Sequence, residues 1–448
     1  MRGPANAEDP STTSPRRGSI RLGLLGCGTV GGGVLELCAA NARWLEGRVG
    51  APLEVRRVLV RDPAKERVAA CDPRWITTRP EDVVDDPEID VVVEVMGGEG
   101  AALELVERAI SAGKGVVTAN KLLLAKHGPR LVDLAIARGT DLAFEGAVGG
   151  GIPIIRTLRE AFASDWVERL AGIVNGTCNY VLGRMREGGL GLDAAVREAQ
   201  AKGYAEADPS LDTGGHDAAH KLCVLAMLAF GARVPASALH VEGIEGIEER
   251  DHRYAERFGY VIKHLAIGRD FGDAIELRVH PTLIPKTSVL ANVSGVLNAI
   301  LLEGRALGPC MLYGRGAGDL PTAVSVVSDI LDVGRSIVAG ASGLLTRGIA
   351  MEPRPLKPQE DIETRYYLRL SAPERPGLMA RIAGGLGELG VSLEQMVQPE
   401  RPATPGDPVD IVVLTHVARE GNVTAALERM RAEGLFAAPP RLYRIEVS

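Results

Sequence analysis

Two opposite charges open an otherwise apolar helix. The stretch "AEADPSLDTGGHDAAHKLCVLAMLAFG" (205–231) places Asp217 and Lys221 four residues apart, after Glu206 and Asp208. Because residues at this spacing share one helix face, the carboxylate and the ammonium should meet. On a solvent-exposed surface such a pair stabilises the folded state by only about 0–1 kcal/mol. Because the pair precedes the apolar segment "LCVLAMLAFG", it predicts a site where a poorly hydrated lysine donates a proton. A simple ion pair is the alternative.

A glycine-rich turn forms the second candidate site. "IRLGLLGCGTVGGGVLEL" places Gly26, Gly28 and Gly31 in a GxGxxG arrangement between a predicted strand and a predicted helix. This arrangement is typical of dinucleotide binding, where the glycines make the turn, admit the pyrophosphate and let helix and strand pack closely. We expect Thr29 and Val30 of this loop to contact the cofactor as well. A tight turn without a ligand is the alternative.

Charged residues after the second predicted strand bear on the choice of cofactor. Arg61 and Asp62 end this strand, and Lys65 and Arg67 follow. An acid here can bind the ribose hydroxyls of NAD, whereas basic side chains can neutralise the 2′-phosphate of NADP. The sequence leaves NAD and NADP open, with tolerance of NADP expected and Arg61 a candidate contact. A solvated charged turn is the alternative for Lys65 and Arg67.

The end of a later strand carries three further candidates, Thr118, Asn120 and Lys121 in "GVVTANKLLLAKHG". Ligands of open parallel sheets lie beyond the carboxyl ends of the strands. A lysine at a helix start is disfavoured by the helix dipole, so Lys121 is predicted to orient a substrate carbonyl or carboxylate. A plain surface charge is the alternative.

A carboxylate followed by glycines predicts a possible cation site. In "FEGAVGGGIPIIRTLRE", Glu145 and nearby backbone carbonyls suit a hard ion such as Na⁺ or Ca²⁺ better than zinc. A hinge between domains is the alternative, and the two are compatible. His216 and His220 flank Asp217, but no third ligand with zinc spacing follows, so helix capping and packing are the better interpretation.

Composition excludes several classes of protein. A chain of 448 residues is too long for one core and predicts two or three domains. A net charge of −7 argues against a nucleic-acid partner. No apolar run is long and clean enough to cross a bilayer, so we expect no membrane partner. The six cysteines are scattered and form no CxxC pair, which indicates reduced thiols. Reduced thiols predict a cytoplasmic protein.

The pattern of strands and helices predicts an α/β protein of several parts. Strands alternate with helices in the first part, which is typical of a Rossmann-type domain with a covered parallel sheet. The last part reads β-α-β-β-α-β, a ferredoxin-like order. The expected organisation is a disordered tail (1–18), a dinucleotide-binding domain (19–150), a second α/β domain (151–314), a linker (349–364) and a C-terminal ferredoxin-like domain (365–448).

Taken together, these motifs resemble one family. From Ile20 onward the chain is similar to homoserine dehydrogenase, and residues 365–448 resemble an ACT domain. The resemblance rests on "GLLGCGTVGGGV", "TANKLLLAKHG", "FEGAVGGGIPIIRTLRE", "GIVNGTCNYVL", "AKGYAEADPSLDTGGHDAAHK" and "MLYGRGAGDLPTA". It implies reversible NAD(P)H-dependent reduction of L-aspartate 4-semialdehyde to L-homoserine, in the biosynthesis of threonine, methionine and isoleucine.

The resemblance implies that residues 151–314 form an α/β catalytic and dimerisation domain, that a segment at about 315–348 returns to the dinucleotide-binding domain, and that residues 365–448 are regulatory.

The resemblance also implies roles for residues. Lys221 falls on the catalytic acid/base position and Lys121 on a second active-site lysine that also contacts cofactor and substrate. Glu206 and Asp217 fall on substrate-binding positions. Gly316 and Gly318 match a later cofactor contact, as Thr118 and Asn120 match an earlier one. The family's sodium site corresponds to Glu145, Val148, Gly150 and Ile152.

The ACT resemblance implies an amino-acid effector, with threonine expected, and a homodimer or homotetramer. A domain kept only for assembly is the alternative. Two other functions compete with the main interpretation. Cys178 in "NGTCNY" could act as the nucleophile of an acylating semialdehyde dehydrogenase. Alternatively, the chain could be a non-catalytic sensor of NADPH and amino acids.

Overall fold

The computed structural model describes residues 18–400, 404 and 407–446. The predicted tail therefore lies outside the described residues, apart from its last position. The chain divides into two compact units. Among the described residues, the first comprises 18–120, 130–144 and 323–348, and the second comprises 121–129, 145–322 and the described part of 349–446.

Strands and helices alternate through the first third of the chain. They are β1 (Ile20–Leu25), α1 (Thr29–Ala40), α2 (Ala42–Val49), β2 (Leu53–Leu59), β3 (Ile76–Thr77), α3 (Glu81–Val84), β4 (Val91–Glu94), α4 (Gly100–Ser111), β5 (Gly115–Thr118), α5 (Lys121–Arg138) and β6 (Leu142–Ala143).

The middle of the chain is richer in long antiparallel strands. It contains α6 (Ile154–Arg156), β7 (Val167–Ile173), α7 (Gly176–Gly188), α8 (Leu192–Ala201), α9 (Ser210–Thr213), α10 (His216–Ala229), β8 (His240–Val241), α11 (Glu249–Arg257), β9 (Tyr260–Asp270), β10 (Ile275–Pro285), β11 (Leu297–Gly304) and β12 (Gly308–Arg315).

Two helices then lead into the C-terminal region. These are α12 (Asp319–Val338) and α13 (Leu344–Arg347). The remaining elements are β13 (Glu363–Pro373), α14 (Leu378–Gly387), β14 (Leu393–Val397), β15 (Pro408–Thr415), β16 (Ala418–Arg419), α15 (Glu420–Ala432) and β17 (Arg441–Ile445). Apart from the short β16, this is the predicted β-α-β-β-α-β order.

The first unit is built on a parallel sheet of six strands in the order β3-β2-β1-β4-β5-β6. This is the strand order of dinucleotide-binding folds. The returning helix α12 packs Ala323, Val326 and Ile330 into the same core as β1 and β4. The predicted α/β class with a Rossmann-type domain is confirmed. The last strand of this sheet is only two residues long, Leu142–Ala143, and Glu145–Ala147 then forms a 3₁₀ turn.

The second unit contains one sheet, whose main path runs β12-β11-β7-β9-β10-β17-β13-β15-β14. Its centre is a parallel pairing of β10 with β17, with Thr282 opposite Arg444 and Leu283 opposite Ile445. The C-terminal ferredoxin-like region therefore continues the sheet of the catalytic region. The sequence pattern predicted separate domains for these regions and gave no indication of this pairing.

The segment expected to be a linker is hydrogen-bonded to the catalytic region. The Glu352 amide donates to the Gly231 carbonyl at 2.9 Å, and the Arg233 amide donates to the Glu352 carbonyl at 3.0 Å. Further along, the Ile275 amide donates to the Pro355 carbonyl at 2.9 Å. These bonds distinguish the segment from a flexible spacer, whose backbone would be solvated.

Buried ion pairs cross the seam between β10 and β17. The fully buried guanidinium of Arg278 bonds Glu276 at 2.6 Å and also bonds Glu446, the residue after β17. Arg444 bonds Glu420 at the start of α15 with Nε at 2.6 Å. Buried charges need partners of this kind, since an unpaired one would cost several kcal/mol. Among the helices of the described residues, none is long and apolar enough to cross a membrane.

Candidate active site

Helix α10 places Asp217 and Lys221 at its first turns and its apolar residues in the core. Gly215 precedes the helix with φ of +84°, a conformation that favours glycine. A Cβ on Gly215 would also stand 3.1 Å from the carbonyl oxygen of Glu242. The turn before the helix is thus packed against the 242–247 loop, and this packing fixes where the helix begins.

The carboxylate of Asp217 joins two lysines. Its Oδ2 accepts from Lys221 Nζ at 2.7 Å, and its Oδ1 lies 2.8 Å from Lys121 Nζ. Lys221 Nζ also donates to the Val174 carbonyl at 2.7 Å. The side chains of Asp217 and Lys221 are 7% and 10% exposed, whereas that of Lys121 is 43% exposed. Lys221 is therefore shielded from solvent, whereas Lys121 is partly exposed to it.

The electrostatics of this cluster keep Asp217 and Lys121 charged. Burial alone would raise the pKa of Asp217, but the charges of Lys221 and Lys121 lower it well below its ordinary value. Burial alone would lower the pKa of Lys121, but Asp217 raises it above its ordinary value. The carboxylate thus stays ionised and Lys121 stays protonated at neutral pH.

Asn175 is a residue of this cluster that the sequence analysis missed. Its Oδ1 caps α7 by accepting from the Cys178 amide at 2.8 Å. Its Nδ2 donates to Asp217 Oδ2 at 2.8 Å and to Asp212 Oδ1 at 2.7 Å. An asparagine just before the helical segment "GTCNYVL" was the available signal for the cap, although not for the contacts with the two carboxylates.

Glu206 lies apart from these direct contacts. It is exposed in the loop between α8 and α9, where Gln200 Nε2 donates to its backbone carbonyl at 3.1 Å. Its charge still contributes to raising the pKa of Lys121. The structure therefore brings Asp217, Lys221 and Lys121 into contact and leaves the carboxylate of Glu206 exposed to solvent.

Cys178 is poorly suited to act as a nucleophile. Its side chain is fully buried, and Sγ donates to the Asp212 carbonyl at 3.2 Å. Burial and the negative charges of Asp212 and Asp217 raise the pKa of the thiol well above its ordinary value. Reactive cysteines need an accessible thiolate, so these surroundings argue against the acylating mechanism.

The glycine-rich turn lines a large cavity in the first unit. The cavity has a volume of about 950 Å³ and includes Gly26, Gly28 and Arg61 in its lining, together with Asp62 and the basic residues Lys65 and Arg67. Helix α1 begins at Thr29, followed by Val30 and Gly31, so amides at its start adjoin this turn. A Cβ on Gly31 would lie 2.6 Å from the Gly26 carbonyl, which explains the third glycine. A phosphate-bearing dinucleotide fits this lining.

Glu94, which the sequence analysis also missed, organises Thr118 and Asn120. Its buried carboxylate accepts from Thr118 Oγ1 at 2.6 Å and from the Met96 amide at 3.0 Å. Asn120 Nδ2 donates to the Gly98 carbonyl at 2.7 Å. Burial raises the pKa of Glu94. Thr118 and Asn120 thus brace the turn at 96–98, part of which lines the cavity.

Gly316 and Gly318 belong to the second unit. A Cβ on Gly316 would collide with the side chain of Asn298. A Cβ on Gly150 would lie 2.7 Å from the backbone of Gly316, so these two glycine turns are in contact. Gly318 has φ of +122°, which favours glycine. The predicted late cofactor contact therefore lies against the glycine run that follows Glu145.

The turn at Glu145 has the oxygen chemistry of a hard-cation site in part. The buried carboxylate accepts from the Ile155 amide at 2.8 Å and from the Arg156 amide at 2.9 Å, and burial raises its pKa. The Ile152 carbonyl accepts from the Ile154 amide at 2.8 Å. Within residues 18–400 and 407–446, no group of three His, Cys, Asp or Glu side chains could hold a metal ion.

Comparison with known proteins places the chain in a class and then in a family. A model described as homoserine dehydrogenase, NAD binding domain, matches residues 26–145, so the first unit carries the cofactor domain of an oxidoreductase. A model described as homoserine dehydrogenase matches residues 153–331, and one for the ACT domain matches residues 366–434. The chain belongs to the homoserine dehydrogenase family.

Full-length relatives agree with this placement. A homoserine dehydrogenase of Pseudomonas aeruginosa is 42% identical over 431 residues, covering 95% of this chain and 99% of that protein. A homoserine dehydrogenase structure from Thiobacillus denitrificans matches with 46% identity and a TM-score of 0.90, covering 96% of this chain and 98% of that one. A hyperthermophilic archaeal homoserine dehydrogenase in complex with NADPH matches with 27% identity and a TM-score of 0.60, covering 70% and 97%.

Replacing Asn175 tests its contact with Asp217. In N175S the hydroxyl can still cap α7, but no amide reaches Asp217, so we expect kcat for homoserine oxidation to fall about tenfold. The KM for the dinucleotide should change little, because the lining of its cavity lies in the first unit. Steady-state kinetics measure both, with exposed Asn292 as the matched control (N292S). An unchanged kcat in folded N175S would refute the positioning role.

Proposed function

We propose that the chain catalyses the reversible NAD(P)H-dependent reduction of L-aspartate 4-semialdehyde to L-homoserine. Membership of the homoserine dehydrogenase family and the lysine pair on Asp217 support this reaction. Reduction of an aldehyde places negative charge on its oxygen, and a buried ammonium is a suitable proton donor for that oxygen. The proposed pathway is the biosynthesis of threonine, methionine and isoleucine.

Lys221 is the proposed acid in reduction and the base in oxidation. An ammonium has three N–H donors. Asp217 and the Val174 carbonyl accept from Lys221 Nζ, which leaves one donor for the substrate oxygen. The bound nicotinamide supplies the hydride that reaches the aldehyde carbon. Lys221 delivers the accompanying proton, either directly or through a water molecule.

The other charged residues are proposed to hold the substrate and the lysines. Both oxygens of Asp217 already contact lysines, which favours a positioning role over the direct substrate contact implied by the resemblance. The exposed carboxylate of Glu206 is the proposed partner of the substrate ammonium. Lys121, which is half exposed, is proposed to bind the substrate carbonyl or carboxylate and the cofactor.

The cavity of the first unit is the proposed dinucleotide site, and we keep both NADP and NAD as cofactors. Arg61 and Lys65 on its lining would hold a 2′-phosphate, and Asp62 would hold ribose hydroxyls. The similarity to an archaeal homoserine dehydrogenase in complex with NADPH supports the phosphorylated form. Gly316 and Gly318 are proposed as further contacts of the dinucleotide, later in the chain.

Initial rates with L-homoserine and either NADP⁺ or NAD⁺ test the reaction, and K221M tests its mechanism. The wild type should reduce at least one cofactor. K221M should lower kcat by about 100- to 10,000-fold, because no group remains to exchange the proton. The exposed Lys286 provides the control, and K286M should turn over normally. Near-normal turnover by folded K221M, or a wild type inactive with both cofactors, would contradict the proposal.

A sodium ion is proposed at Glu145, Val148, Gly150 and Ile152, supported by the buried carboxylate beside a run of backbone carbonyls. We expect NaCl to raise the melting temperature by about 2–4 °C over choline chloride at equal ionic strength, because the ion binds only the folded chain. E145Q should lose this difference, whereas E160Q, at an exposed glutamate nearby, should keep it. Equal melting temperatures of the wild type in both salts would rule the ion out.

The C-terminal ACT domain is proposed to mediate feedback by an amino acid, with L-threonine as the first candidate.

We also propose that the chain forms a homodimer or homotetramer, because β12 is an edge strand that exposes Tyr313. Light scattering would measure the assembly. The proposed location is the cytoplasm, where the six unpaired cysteines would stay reduced.

A further inference from the structure

A cavity of about 380 Å³ lies where the ACT domain meets the catalytic region within the second unit. Four parts of the chain line it: Gly214 before helix α10, the 242–247 loop, Pro281 of β10, and residues 440–443 at the start of β17. Since one water molecule occupies about 30 Å³ of liquid, the cavity has room for a small organic molecule with a few waters. None of its lining residues has a role in the proposed reaction.

The lining carries one positive and two negative groups. The Arg441 guanidinium packs over Gly246, and no ion pair or hydrogen bond to it occurs among the described residues. Glu245 is exposed, and its carboxylate likewise has no partner in the described part of the chain. Glu242 is held through Oε1 by His240 at 2.6 Å and by Arg444 at 2.9 Å.

These charges fit a zwitterion. A simple anion would meet two carboxylates and a simple cation would meet Arg441, whereas an α-amino acid carries both charges on one small molecule. A guanidinium binds a carboxylate with paired N–H donors, and carboxylates accept from an ammonium. Ile247, Leu442 and two prolines, Pro281 and Pro440, add apolar walls for a short side chain.

A second cavity in the ACT domain is less suited to this ligand. It has a volume of about 360 Å³ and lies between α14 and α15. Its charged side chains already pair with each other, Arg381 with Glu433 at 3.1 Å and Arg429 with Glu388 at 2.8 Å. A ligand there would have to compete with these pairs, whereas Arg441 is free of such a partner among the described residues.

The 242–247 loop is in direct contact with the start of the active-site helix. The Ile244 amide donates to the Thr213 carbonyl at 2.8 Å, and a Cβ on Gly243 would lie 2.7 Å from Gly214 Cα. His264 Nε2 bonds the Glu242 carbonyl at 2.9 Å, beside Gly215. A ligand that shifts this loop therefore shifts the turn that positions Asp217.

We propose that the cavity between Arg441 and the 242–247 loop binds a small α-amino acid, with Arg441 on its carboxylate and Glu242 and Glu245 on its ammonium. Occupancy lowers turnover by displacing the first turn of α10. This assignment rests on the proposed amino-acid feedback and gives it a location. It places the effector between the two regions of the second unit, within a single chain.

The test uses the full chain, with L-threonine as the probe and L-isoleucine and L-methionine in parallel. Inhibition of homoserine oxidation is read as a fraction of each variant's own uninhibited rate, and binding is measured by calorimetry. R441Q should raise the dissociation constant and the half-inhibiting concentration at least about tenfold, because a charged hydrogen-bond partner is lost. E245Q alters an exposed side chain, so it should weaken binding severalfold without endangering the fold.

Two control variants distinguish this cavity from the second cavity and from a general loss of surface charge. R431Q removes an exposed arginine of α15 that does not line the cavity, and R381Q alters the second cavity. Both should bind the probe as the wild type does. Wild-type affinity in both R441Q and E245Q would overturn the assignment of the effector to this cavity while leaving feedback in place. Loss of inhibition in R381Q alone would place the effector in the second cavity instead.

The remaining outcomes separate this inference from the proposed reaction. A wild type that oxidises homoserine but neither binds nor responds to the three amino acids would overturn feedback and this site together. A wild type that binds a probe through Arg441 but does not oxidise homoserine would support the site and contradict the reaction.

Discussion

The carboxylate of Asp217 is the constraint on which the catalytic arrangement depends. It is buried, and two ammonium groups and the amide of Asn175 share its two oxygens. A buried ion pair often gains little over apolar packing, but removing one partner leaves an uncompensated charge. The arrangement therefore matters more for geometry than for stability. It holds the ammonium nitrogen of Lys221 between Asp217 and the Val174 carbonyl, at the start of a helix whose other residues anchor it in the core.

The second constraint is the pairing of β10 with β17. It makes the ACT domain part of the same sheet as the catalytic region, with Arg278, Glu446 and Arg444 buried along the seam. An appended domain on a flexible linker could bind an effector without affecting catalysis. Here β17 begins at Arg441, which lines the proposed effector cavity, and ends next to Glu446, which Arg278 bonds. The proposed effector cavity and the paired charges of the seam therefore adjoin the two ends of one strand.

Local patterns predicted what depends on local geometry. The i, i+4 spacing of Asp217 and Lys221 predicted their contact, and the glycine spacing between a strand and a helix predicted a dinucleotide-type turn. The third member, Lys121, could not be paired with Asp217 from the sequence, because their approach depends on how distant segments pack. Glu94 and Asn175 were missed since each acts by bonding residues remote in the chain. The seam between β10 and β17 was missed for the same reason, as strand pairing between distant segments leaves no periodic signal.

The pH dependence of aldehyde reduction by D217N tests the central constraint most directly. Burial alone would lower the pKa of Lys121, and Asp217 raises it above its ordinary value of about 10.4. In D217N the burial remains and the charge is lost, so Lys121 should lose its proton at lower pH. The alkaline decline of kcat/KM should therefore move to lower pH than in the wild type, while D208N, at an exposed aspartate nearby, should leave it in place. An alkaline decline at the same pH in D217N and the wild type would contradict control of the lysine by the shared carboxylate.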